Sequence, residues 1–245
     1  MFTLLKKIIF LSLSMLIMAE SYAVSGVALG QTRIVYNEGN KEQTITIINN
    51  DDKAYLVQAG VYVSPNGILD DNFYVIPPLF RLEPNKENTI KIILKSKKSL
   101  PSDKESIAYF SANVIPSSQK TNNGSEDNSM QAKITISTRS VIKLFYRPEN
   151  LPISYKKSES DLKFKLINDN KLEVYNPSPY YLTFASLKVN NKSISNFDTL
   201  IGPNEKKIIS IYNKANTIEW SLINDYGALV IIINMYSKSR LKICD

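Results

Sequence analysis

The chain has 245 residues, with 30 basic and 23 acidic side chains, no histidine, eight glycines and one cysteine. Cys244, alone and penultimate, excludes an intramolecular disulfide, and the absence of histidine excludes Ser-His-Asp and Cys-His catalysis and any histidine-ligated zinc. The net charge of +7 is scattered rather than gathered on one helix face, so no nucleic-acid partner is expected; with no paired-carboxylate motif, Gly-rich phosphate loop or metal-loop spacing, neither an enzyme nor a cofactor or metal is expected.

Lys6 and Lys7 precede an uncharged apolar run from Ile8 to Met18, followed by Ser21-Tyr22-Ala23 with small residues at its first and third positions. This is the pattern of a secretory signal peptide, with cleavage expected after Ala23 and the mature chain exported. The run is too short for the roughly 20 residues a membrane span requires, so no membrane insertion is expected. Loss of this segment removes two basic residues and one acidic residue, leaving a net charge of +6.

Alternating apolar positions then predict strands at Thr32–Tyr36, Gln43–Ile48, Tyr55–Val63, Thr89–Leu94 and Ser106–Val114, and in the long stretch "ITISTRSVIKLFYRP" from Ile134 to Pro148. Asn, Asp, Gly and Pro punctuate them, as in "NNDDK" and "SPNG". The polar segment "SSQKTNNGSEDNS", from Ser117 to Ser129, reads as a loop. Two prolines in Arg147–Pro152 predict a short, stiff linker. Beyond it, strands are expected at Leu162–Asn168, Lys171–Tyr175, Leu182–Val189, Lys206–Tyr212, Thr217–Leu222 and Leu229–Met235, the last within an apolar stretch that reads as buried. Short, regularly spaced strands without helical periods predict an all-β protein of two immunoglobulin-like sandwiches. The expected division is residues 1–23 signal peptide, 24–147 first domain and 148–245 second domain.

Several ordered motifs resemble the periplasmic chaperones of the chaperone–usher pathway, the PapD-like family: "TRIVYNEGNKEQTITIINND", "FYVIPPLFRLEPN" and "VIKLFYRP" in the first half, "NPSPYYLTF" and "INDYGA" in the second. The resemblance covers nearly the whole mature chain. It implies two domains in an L-shaped arrangement, and a periplasmic protein that folds pilus subunits and delivers them to an outer-membrane usher. Such subunits are immunoglobulin-like domains lacking a strand, and the chaperone lends one of its own by donor-strand complementation.

The resemblance places the donor strand at Gln131 to about Lys143, with Ile134 and Ile136 entering the subunit groove and Thr138 where the family has a third large apolar residue. That threonine implies either a weaker or differently shaped contact at this pocket or compensation from elsewhere, for instance from Val27 and Leu29. Arg33 and Lys143 are implied as anchors of the subunit's C-terminal carboxylate, and Lys91, Glu105 and Asp225 as an interdomain charge network. Arg139 reads as a solvated residue, Arg147 as part of the domain junction, and Pro77-Pro78 as a strand-edge device. Self-association of the unloaded chain through exposed strand edges is a further expectation.

One difficulty is apparent in the numbering. Ile134 and Lys143 are an odd number of positions apart, so alternation places them on opposite faces unless a bulge or twist intervenes. The alternatives in other classes are a secreted two-domain adhesin or fibre subunit, which should carry an N-terminal donor extension and a disulfide, and a β-sandwich carbohydrate enzyme, which needs converging carboxylates.

Overall fold

The computed structural model describes residues 26–117 and 136–232. In the first domain, β1 (Val27–Leu29), β3 (Gln43–Asn49), β7 (Glu87–Leu94) and β5 (Phe73–Ile76) form one sheet in the order β1-β3-β7-β5. The facing sheet has the order β2-β9-β8-β4-β6, from β2 (Arg33–Asn37), β9 (Thr138–Arg147), β8 (Ser106–Pro116), β4 (Tyr55–Tyr62) and β6 (Leu79–Leu82). The two faces meet over Ile34, Tyr36, Ile45, Ile47, Val57, Val61, Ile90, Ile92, Phe110 and Leu144. Their spacing of two is the pleat read directly: every second side chain enters the core and contributes about 1.5–3 kcal/mol if fully buried.

All neighbours in these sheets run antiparallel except β2 and β9, which are parallel with Arg33 opposite Lys143 and Asn37 opposite Arg147. β1 belongs to one sheet and β2 to the other, so the first strand pair crosses between layers. Val27 and Leu29 are partly buried and pack against the edge of the domain's own core. Three short strands of this domain went unread in the sequence, β1, β5 and β6; Pro77 and Pro78 lie between the last two, and the Pro78 carbonyl accepts the Ala59 N–H.

The second domain opens with a six-residue helix, α1 (Tyr155–Ser160), capped by the Ser154 side chain, which accepts the Lys157 N–H. Its sandwich comprises β10 (Lys163–Asn168), β11 (Lys171–Tyr175) and β15 (Lys206–Ser210) against β12 (Leu182–Val189), β13 (Lys192–Ser193), β14 (Leu200–Ile201), β16 (Ile218–Ile223) and β17 (Leu229–Ile232). Trp220 and Phe164 pack at 4.5 Å between ring centroids in its core. Among the described residues β17 is an edge strand bound only to β16, and Leu229 is 59% exposed, so the start of the stretch expected to be buried is not. An apolar run alone does not distinguish an edge strand from a central one.

Candidate functional site

The faces of β9 decide what each of its residues can do. Leu144 and Tyr146 are buried in the first domain's core and Ile142 packs against it, so even-numbered positions face inward. Odd-numbered positions face the second domain: the Phe145 ring lies 5.7 Å from that of Tyr181. The pairing of β9 with β8 runs from Val114–Thr138 to Ser106–Tyr146 without a register shift. No bulge therefore separates Thr138 from Lys143, and these two residues use opposite faces of one regular strand.

Where β9 leaves the core, its inward face opens. Thr138 is exposed and Ile136 is 76% exposed, so Ile136 does not serve the chain's own core. Ile134 lies outside the described residues, as does the polar loop before it. β2 begins at Arg33 opposite Lys143, so among the described residues the edge of β9 on that side is unpaired from Thr138 to Ile142. That edge offers backbone donors and acceptors to another strand.

Arg33 and Lys143 stand side by side at the end of this open edge. The Arg33 Nη1 donates to the Ile223 carbonyl of the second domain at 3.1 Å, and its guanidinium lies 5.9 Å from the Phe145 ring centroid. Its Nε is buried without a hydrogen-bond partner. Burial lowers the pKa of Arg33, with Tyr155, Asp225 and Glu105 acting the other way. Burial also lowers that of Lys143, and the neighbouring Arg33 adds to the effect. Among the described residues Lys143 forms no ion pair. Two half-desolvated cations and an unpaired N–H make a site that gains from an incoming anion.

The junction beside them is saturated. Arg147 donates from Nε to Glu105 Oε1 at 2.6 Å and from Nη1 and Nη2 to Asp225 at 2.7 and 2.9 Å. Its guanidinium lies against the rings of Tyr155 and Tyr180, 4.8 and 5.0 Å from their centroids, and the two rings meet edge to face beside it. Burial opposes the charge, but Asp225 and Glu105 outweigh it and hold Arg147 above its ordinary range. The second oxygen of Glu105 accepts the Tyr181 N–H at 2.8 Å, and its own N–H donates to the Pro179 carbonyl. Burial pushes the Glu105 carboxyl up to about 7, against the pull of Arg147 and the Tyr181 N–H.

Lys91 takes no part in this network. It lies on β7, its Nζ 2.9 Å from Glu42 and half exposed, so the expectation that groups it with Glu105 and Asp225 is corrected. The cation between those two acids is Arg147, at the end of β9 just before Pro148. Tyr155, Tyr180 and Tyr181 were not singled out in the sequence; the adjacent pair in "NPSPYY" was the available signal.

Local chemistry explains how the second domain reaches the cleft. The buried Asn176 side chain donates to the Tyr180 and Gly202 carbonyls at 2.7 and 2.8 Å and accepts from Ser178, closing the loop that presents Tyr180 and Tyr181. Asn224 accepts the N–H groups of Tyr226 and Ala228, shaping the turn that holds out Asp225. Gly227 in that turn has φ of 79°, and a Cβ there would collide with the Thr32 hydroxyl just before β2. Between β2 and this turn lies a cavity of about 310 Å³ lined by Arg33, Arg147, Asp225 and Tyr226 among others.

Residues 26–152 match the family described as "Pili and flagellar-assembly chaperone, PapD N-terminal domain", and residues 157–231 match "Pili assembly chaperone PapD, C-terminal domain". The chain is 39% identical to the chaperone protein FocC of Escherichia coli over 213 residues, covering 86% of this chain and 88% of the relative. It is 36% identical to the chaperone protein FimC of Escherichia coli K12 over 217 residues, covering 88% and 86%. The crystal structure of the periplasmic chaperone SfaE, 36% identical, superposes with a TM-score of 0.69 over 84% of this chain and 96% of SfaE. That of the Salmonella enterica SafB chaperone in complex with the SafA pilin, 26% identical, gives 0.72 over 86% and 98%. These likenesses favour a chaperone over an adhesin or fibre subunit, and the family's role is assembly rather than catalysis. By both domain matches and by relatives spanning most of its length, this chain belongs to the PapD-like fimbrial chaperones, which act in the periplasm by donor-strand complementation.

Proposed function

We propose that this chain, exported by cleavage after Ala23, captures a pilus subunit on the open edge of β9 and passes it to an outer-membrane usher. The subunit's C-terminal carboxylate binds Arg33 and Lys143, and its groove takes Ile134 and Ile136, with Thr138 leaving the next pocket less filled. Pro148 divides the capturing domain, 24–147, from the second, 148–245. Arg147, Glu105 and Asp225 hold the two at the angle that keeps the cleft open to the carboxylate.

The observation that carries this reading is the placement of two adjacent, half-buried cations, neither in an ion pair among the described residues, where β2 begins and the free edge of β9 starts. A strand bound in line with β2 would end there. Each charge-assisted hydrogen bond from the pair to a carboxylate contributes about 1.5–3 kcal/mol. The anchor also sets register, because a slip of one residue would turn every side chain of the subunit strand to the wrong face.

Co-expression of the chain with a subunit from the same genome should yield a 1:1 complex in the periplasmic extract. With the subunit's terminal carboxylate displaced by three added glycines, the complex should be lost. A subunit that accumulates soluble without the chain, or one that binds equally well when extended, would defeat the reading.

A further inference from the structure

The sheet that β10, β11 and β15 form in the second domain has two unlike faces. One packs Phe164, Leu166, Leu172, Val174 and Ile209 into the core. On the other, the register sets side chains in rows across the strands: Lys163, Tyr175 and Lys206, then Lys165, Glu173 and Ile208, then Lys171 beside Ser210. Four lysines meet a single carboxylate there. Lys206 Nζ is 3.9 Å from Glu173 and 5.4 Å from the Tyr175 ring centroid, and only 23% of the Glu173 side chain is exposed. With strands ~4.8 Å apart and alternate residues ~6.6 Å apart, the four lysines spring from an area of roughly 10 by 13 Å. That is close to the screening length of about 8 Å at physiological salt, so their fields add.

Lysines on edge strands are a common guard against edge-to-edge aggregation, and β10 and β15 are the edges of this sheet. That role accounts for Lys163, Lys165 and Lys206. It does not account for Lys171, on the central strand, or for Ile208, which is 62% exposed on the very edge that the lysines would guard. Tyr212, two residues past the end of β15, is 69% exposed, and the Ile211 N–H before it donates to the Asn170 carbonyl of the β10–β11 hairpin. Asp169 of that hairpin is itself 3.9 Å from Lys214, so it subtracts little from the basic field.

We propose that this face docks the chain on an anionic lipid surface. Lysines around an exposed isoleucine and tyrosine match the boundary of such a bilayer, where the ammonium groups meet headgroups and the apolar side chains enter the interface. A flat sheet face suits lipid better than it suits a protein, because headgroups move laterally to meet fixed lysines whereas carboxylates on a folded partner must already stand at the right spacing. A periplasmic protein also has a bilayer on either side of it. None of Arg33, Lys143, Arg147, Glu105 and Asp225 belongs to this face, so docking there uses no residue that forms the cleft.

The test is sedimentation of the mature chain with vesicles of phosphatidylcholine alone and of phosphatidylcholine and phosphatidylglycerol in equal parts. The chain should sediment with the mixed vesicles only, and high salt should release it. A Lys163→Gln, Lys171→Gln variant should bind about tenfold to thirtyfold more weakly, at about 1 kcal/mol for each lysine near such a surface. Ile208→Ser, which leaves the charge intact, should bind about fivefold more weakly. A Lys188→Gln, Lys192→Gln variant removes the same charge from β12 and β13 in the other sheet and should bind as wild type does. Circular dichroism checks that all three variants fold. No preference of the wild type for phosphatidylglycerol, or equal losses in the two lysine variants, would overturn the proposal. So would indifference to vesicles together with binding to polyglutamate that needs Lys163 and Lys171, which would give the face to an acidic protein instead.

Discussion

Arg147 and Arg33 occupy the same cleft, on neighbouring strands, and are provided for in opposite ways. Arg147 has two carboxylates, three hydrogen bonds and two aromatic faces. Arg33 has one carbonyl from the second domain, an unpartnered Nε and a lysine for a neighbour. A guanidinium whose three nitrogens all donate to carboxylates holds the domains together. One whose donors are only partly taken, beside a like charge, is held ready for something else. The two should therefore respond to truncation in different assays.

The largest effect is expected for Arg147→Ala. It leaves Glu105 buried without its cation and removes the link to Asp225, a loss of about 3–5 kcal/mol by the usual cost of breaking a buried pair. Urea unfolding followed by circular dichroism should show it. A loss below about 1 kcal/mol would mean that the tyrosines alone hold the junction, and the contrast with Arg33 would disappear.

Arg33→Ala and Lys143→Ala should do the reverse. Each relieves a desolvated charge in the free chain, so unfolding stability should be unchanged or slightly raised. Subunit capture should fall by about 1.5–3 kcal/mol per variant and more in the double variant. Retained capture with an unchanged dichroism spectrum would show that the pair is not the anchor. Ile136→Ser comes next: with its side chain mostly in solvent it should leave the fold untouched and weaken capture by at most about 1.5–3 kcal/mol. A fall in intrinsic stability would place Ile136 in the core after all.

The pH dependence separates the two regions further, because the junction contains a titrating acid. The folded pKa of Glu105 is raised, to about 7 from an ordinary 4.5, chiefly by burial. A raised folded pKa gives stability that is present at low pH and lost as pH rises through the folded value. The midpoint of thermal unfolding should therefore fall between about pH 5 and pH 8, and the fall should flatten in Glu105→Gln. An equal slope in both proteins would assign the dependence to other groups.

Much of the fold was legible because each buried face repeats every second residue. Val57, Ala59, Val61 and Val63 read as one face in the sequence; the first three are in the core, and Val63, just past the end of β4, is 49% exposed. β5 and β6 escaped because each is four residues long and buries one side chain, Phe73 and Leu82, too few to establish a period. α1 escaped for a related reason: six residues give less than two turns. The cleft was only partly legible. Motifs identify Arg33 and Lys143 as residue types, but their adjacency depends on a parallel pairing between segments far apart in the chain, which no local pattern encodes. The face assignment of β9 likewise required the register with β8, which the sequence leaves open between a bulge and a regular strand.

Lys91 shows the same limit most sharply, and carries the smallest prediction. A motif places a basic residue on a strand but says nothing of which acid it will meet. Thr44 is opposite Lys91, and Glu42 just before β3 comes within reach of its Nζ. Both side chains are largely in solvent, 52% and 40% exposed, so the pair gains little Coulomb energy and is screened by salt. Lys91→Ala should change unfolding stability by less than about 1 kcal/mol, the change should vanish in high salt, and subunit capture should be unaffected. Arg147→Ala, at the other end of the same scale, should be much less sensitive to salt, because Glu105 is buried and Asp225 is only 27% exposed. If Lys91→Ala instead altered capture or the pH slope set by Glu105, the junction would extend beyond Arg147, Glu105 and Asp225 to the first domain's far sheet.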